Sequence, residues 1–94
     1  MEFRKLLFNR IESDAGFRVK IRIFSGYIEY REGKRVATIG VDRGTDSLAL
    51  ISSKAPVKWN PPHNSELIPE ERRKEILDNV VAALRFRKIS VELV

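Results

Sequence analysis

The residues able to do chemistry are few and scattered. His63 is the single histidine, set in Trp59-Asn60-Pro61-Pro62-His63, with no cysteine anywhere in the chain and no Asp or Glu at ligand spacing around it. A metal site needs several such donors, and a nucleophile–base pair needs a second partner. General-base work is the only catalytic form left to His63, and a loop-bracing or solvent-facing imidazole is the better reading. Glu32-Gly33-Lys34 has the Glu-x-Lys shape with which some metal-dependent nucleases hold a divalent ion and position water. There the pair lies on a strand beside another acid, whereas here it falls on a turn. Asp42 and Asp46 bracket a glycine turn, but a calcium loop needs a run of alternating oxygen donors and a closing Glu. The five glycines are spread as turn and strand residues, with no phosphate-cradling loop and no nucleophile elbow. The sequence thus offers no catalytic, metal-binding or cofactor-binding residue and points away from an enzyme.

Binding is better provided for. Trp59 precedes the stiff Asn60-Pro61-Pro62-His63 loop, and Glu66, Glu70 and Glu71 follow close behind. Rigid aromatic anchors lose little entropy on association, although a lone tryptophan in a small domain is more often core than interface. A second candidate surface is basic: Arg18, Lys20, Arg22, Arg31, Lys34 and Arg35, with Phe24, Tyr27 and Tyr30 among them. Aromatics on a sheet with flanking cations can stack bases and neutralise phosphates. Tyr27 and Tyr30 have opposite strand parity, however, so one of the two is expected beneath a helix.

The 94 residues carry a formal net charge of +5, with nine basic and five acidic residues before Val36 and near balance thereafter. A positive surface attracts nucleic acid, anionic membrane or acidic protein, and +5 is also ordinary for a soluble domain. With 43% hydrophobic and 33% charged residues, the composition is that of a folded single domain, residues 1–94. No run approaches the roughly 20 apolar residues of a membrane span. The Leu6-Leu7-Phe8 run is too short for a signal-peptide core, and without disulfides a cytoplasmic location is the expectation.

Periodicity supplies the elements. Phe3, Leu6, Leu7 and Ile11 share one helical face, which favours a short N-terminal helix ending at Asp14-Ala15-Gly16, with an extended segment as the alternative. Val19, Ile21 and Ile23 alternate with Lys20 and Arg22. Ser25-Gly26 breaks the run, and Ile28 and Tyr30 begin a new alternation. Gly33 sits in a hairpin turn leading to the β-branched strand Arg35 to Val41. Asp42 to Asp46 is a second turn, Ser47 to Ile51 a further strand, and Val57 to Trp59 a short extended piece. Ile76, Leu77, Val80, Val81 and Leu84 form one apolar helical stripe, with Pro69 in the first turn and Glu70 and Glu71 at its positive end. Ile89, Val91 and Leu93 mark a closing strand. The expected architecture is α+β: an antiparallel meander with one amphipathic C-terminal helix packed on it.

These elements resemble one of the small immunity-protein families of bacterial polymorphic toxin and contact-dependent inhibition systems, the family numbered seventy-four. The resemblance runs from about Arg22 to Val94. It is carried by Ser25-Gly26-Tyr27-Ile28, the Glu32-Gly33 hairpin, the Val36 to Val41 strand, Val57-Lys58-Trp59-Asn60-Pro61-Pro62, Pro69-Glu70-Glu71, Ile76-Leu77, Ala82-Ala83 and the last strand. Two departures stand out: the pattern's glycine near Arg87-Lys88 is absent, and its glutamate after Gly40 is represented only by Asp42. The resemblance implies a stoichiometric, non-catalytic inhibitor that binds a cognate toxin, a protein partner. A small basic nucleic-acid-binding protein is the alternative. Inhibitors of nucleic-acid-cutting toxins are commonly acidic, and a pI near 9.9 argues against simple phosphate mimicry.

Overall fold

The computed structural model describes residues 1–45, 49–56 and 58–94. Five strands run as an antiparallel meander in the order β1 to β5: Phe3–Leu6, Arg10–Ser13, Arg18–Arg22, Tyr27–Glu32 and Arg35–Gly40. The N-terminal segment is therefore a hairpin and not a helix. Pairing Phe3 with Ser13 and Lys5 with Ile11 satisfies the backbone in the sheet, and the pleat separates residues that a helix would have aligned. Ile11 is buried, whereas Leu7 is 78% exposed in the turn. Short apolar runs carry too few periods for spacing to decide between the two forms.

Between β3 and β4 a 3₁₀ turn, Ile23–Ser25, closes on Gly26, whose φ of 86° suits glycine. The β4–β5 hairpin turns at Gly33-Lys34, as Glu32 pairs with Arg35. Strand β6, Ala49–Ile51, is joined to the end of the meander by an antiparallel bridge in which Asp42 and Leu50 exchange both backbone hydrogen bonds, 2.9 and 2.7 Å. The expected strand's first residues, Ser47 and Leu48, lie outside the described residues, as do Asp46 and Val57. The closing strand β7, Val91–Leu93, does not extend the meander; it pairs in parallel with β6, Ala49 opposite Val91.

The helix α1, Glu70–Phe86, crosses between those two strands in the chain. Pro69 stands just ahead of its first turn, with φ −59°. Its buried stripe is Ile76, Leu77, Val80, Ala83 and Leu84, and Val81 lies at the margin, half-buried. That stripe meets the inner sheet face of Ile11, Val19, Ile21, Ile28, Tyr30, Ala37 and Ile39 in one continuous core. At about 25 cal/mol per Å² of apolar surface, covering this face is the main gain in folding, and it fixes which sheet face stays in solvent. The helix ends in a Schellman arrangement: Ile89 N–H donates to Leu84 C=O at 2.9 Å and Lys88 N–H to Arg85 C=O at 2.9 Å. Lys88 takes φ 60°, the left-handed position glycine normally fills.

Candidate functional site

Two surfaces answer to the sequence. The first is the loop from Trp59 to Glu66 with the start of α1. Trp59 is 7% exposed and belongs to the core, so it anchors the loop from beneath. Asn60 then ties the loop to β5, its N–H donating to Val36 C=O at 2.7 Å and its Nδ2 to Thr38 Oγ1 at 2.8 Å. A bridge between Lys58 and Leu67 closes the base, and His63 N–H to Asn60 C=O and Glu66 N–H to His63 C=O, both 3.0 Å, fold the tip. The loop thereby covers the edge of β5, which would otherwise offer unpaired backbone groups. His63 is half-buried as part of this turn, its Nδ1 without a hydrogen-bond partner among the described residues. Pro61 and Pro62 face solvent.

Some charges of this first surface are paired within the fold. Arg35 donates to both oxygens of Glu66, at 2.8 and 3.0 Å. The hydrogen bond from Arg35 holds the Glu66 carboxyl below the usual carboxylate range, and Glu66 raises Arg35 in return. Glu32, the acid of the Glu-x-Lys turn, accepts from Tyr30 Oη at 2.6 Å and also from the Arg72 guanidinium, while Asn79 Nδ2 donates to Tyr30 Oη at 3.0 Å. Burial works against the Arg72 charge, and its acidic neighbours, Glu32 foremost with Glu75, together more than offset it. Burial pushes the Tyr30 phenol up, and the bond to Glu32 adds to the rise. These four side chains clamp the helix to the sheet. Glu70 and Glu71 are exposed and form no ion pair among the described residues.

The second surface is the outer face of the meander. The pairing register puts Arg4, Arg10, Arg18, Lys20, Arg22 and Arg31 on it, against only Glu12 and Glu29. Of the expected basic set, Arg18, Lys20, Arg22 and Arg31 come together here. Lys34 is at the hairpin turn, and Arg35 has the opposite parity and is engaged by Glu66. Arg4 and Arg10 belong to this face too. Their sign of membership in the sequence was the charge of the first segment, which a helical reading of residues 3–11 places elsewhere. Glu12 pairs with both Arg4 at 2.7 Å and Arg18 at 2.8 Å. Arg10, Lys20, Arg22 and Arg31 have no ion-pair partner among the described residues. Tyr27 lies on this face opposite Arg22, and Tyr30 is wholly buried under the helix.

Among the described residues no three His, Asp or Glu side chains gather as a metal site would require, and no helix is long and apolar enough to cross a membrane. No curated protein and no solved structure matches the chain. A family model described as Immunity protein 74 matches residues 20–94, about four-fifths of the sequence, from β3 to the end of β7.

Proposed function

The chain belongs to the immunity protein 74 family, and on that premise we propose that it is a non-catalytic module that binds a cognate toxin domain and neutralises it in the cytoplasm of the producing cell. The family match carries this reading, and it covers the helix, the Trp59 to Glu66 loop, four whole strands of the seven described and β3 from Lys20 onward. A rigid scaffold with two polar surfaces suits stoichiometric inhibition, because shape and charge are set before the partner arrives. The test is growth rescue. The C-terminal domain encoded beside this chain is expressed with and without it; survival that depends on the chain, with co-purification of the pair, is the expected result. A harmless neighbour, or killing regardless of the chain, removes the reading.

The basic outer face keeps one other reading alive, a small nucleic-acid-binding protein. Phosphate-driven binding weakens by orders of magnitude between about 50 and 200 mM salt, so titration of an oligonucleotide across that range separates the two.

A further inference from the structure

We propose that the helix-free face of the meander is the toxin-contacting surface, and that the partner presents an acidic protein surface to it. This rests on the immunity reading above. Two observations carry it. The face holds six cations to two anions, and four of the cations, Arg10, Lys20, Arg22 and Arg31, have no carboxylate partner among the described residues. On the rival surface Arg35 is paired with Glu66 and Arg72 with Glu32, and of the charges left without an ion pair among the described residues in the first turn of α1, Glu70 and Glu71 outnumber Arg73.

The second observation is what lies at the end of the face. Exposed apolar side chains cluster by sequence at the β1–β2 turn, Leu7 and Phe8, and in the 3₁₀ turn, Phe24 at 87% exposure. The two turns are adjacent, since Ile21 N–H donates to Asn9 C=O at 2.9 Å. Arg43 stacks its guanidinium 5.2 Å from the Phe24 ring centroid. Phe8 is held at φ 60°, a costly conformation for an aromatic residue that keeps it at the turn. Apolar anchors beside unsatisfied arginines are the composition of interface hot spots.

Five strands about 4.8 Å apart and five residues long at about 3.3 Å each give a face roughly 20 Å square. That falls short of the about 800 Å² per partner in a standard interface. The turns that carry Leu7, Phe8 and Phe24 border the face at one end. Three of the four unpaired cations are arginines, whose forks can take an acidic side chain two bonds at a time, and the immunity reading makes the partner a protein. Among the described aromatic side chains of the strands, Tyr27 alone lies on the face to stack a base.

The experiment uses the full chain and the neighbouring toxin domain. Lys20→Glu/Arg22→Glu/Arg31→Glu reverses the face while leaving the core untouched. Circular dichroism checks the fold, and Lys20→Ala and Arg31→Ala serve as milder variants should the triple fail to fold. Wild-type rescue with loss of rescue in the triple variant is expected, with binding weakened about 100-fold, mostly in association rate. Each milder variant should slow association about two- to five-fold. Rescue and affinity unchanged in a folded triple variant would overturn the proposal and leave the immunity reading standing. Loss of binding in Glu70→Lys/Glu71→Lys alone would move the contact to the helix start and overturn it equally. Binding of a 20-nucleotide single strand at 150 mM salt that the triple variant loses, with the toxin domain bound as before, would assign the face to nucleic acid and overturn it as well. Failure of the wild-type chain to rescue would instead strike the immunity reading itself.

Discussion

Lys88 occupies the left-handed C′ position of α1 at φ 60°, with the two Schellman hydrogen bonds intact around it. A non-glycine residue there bears a clash between Cβ and the carbonyl worth about 1–2 kcal/mol. Lys88→Gly removes it. Set against this are glycine's larger unfolded-state entropy, about 0.5–1 kcal/mol, and the loss of a cation at the negative helix end, a few tenths at an exposed site. The net is a stabilisation of about 0.5 kcal/mol, which for a domain of this size raises Tm by about 2–4 °C. Lys88→Ala keeps the clash and loses the charge, so it should be neutral or slightly destabilising. The difference between the two variants, about 1 kcal/mol, isolates the backbone contribution. Urea unfolding of wild type and both variants measures it, provided the m-values agree. If glycine is no more stable than alanine, the left-handed assignment of Lys88 is wrong.

Glu32→Gln should destabilise by about 1–3 kcal/mol in urea unfolding, because Arg72 and Tyr30 lose a half-buried carboxylate. Adding Arg72→Met to it should recover part of that loss. Tyr30 has its proton held more tightly in the fold than its ordinary value of 10.0 allows. Its contribution is complete below about pH 10 and is lost as pH rises above it, since only the unfolded chain ionises there. The fall in stability as pH rises above 10, measured by urea unfolding at several pH values, should therefore be shallower in Tyr30→Phe than in wild type. Glu66→Gln breaks an exposed pair with Arg35, so it should leave Tm unmoved while speeding hydrogen exchange at the His63 and Glu66 amides.

Much of the fold was legible because its signals are strong. The alternation of Val19 and Ile21, the Gly33 hairpin, and the stripe from Ile76 to Leu84 each repeat over enough residues to fix a face. The hairpin of residues 3–13 was not, since its few apolar residues fit either period and its turn at Leu7, Phe8 and Asn9 lacks a glycine to announce it. Nor could sequence foresee that β7 pairs in parallel with β6, a contact made across the whole helix. The candidate surfaces were half legible. Parity alone put Arg18, Lys20, Arg22 and Arg31 together, but removing Arg35 and adding Arg4 and Arg10 needed the register of three hairpins. Internal neutralisation by Glu66 and Glu32 comes from side-chain reach across some 30 to 40 positions, which no local pattern encodes.

The parallel pairing of Ala49 with Val91 also orders events in time. Each meander hairpin closes over a few residues, whereas this pair closes over about forty, which costs about 2 kcal/mol more in chain entropy. Its strands are only three residues each and return little until α1 has docked. Folding kinetics should therefore separate into early zipping of the five-stranded sheet and a later step that joins helix and β7 to it. During synthesis the charged side of the sheet would take shape before its greasy side is covered. The interval between those steps is the chain's exposure to self-association, and helix docking ends it.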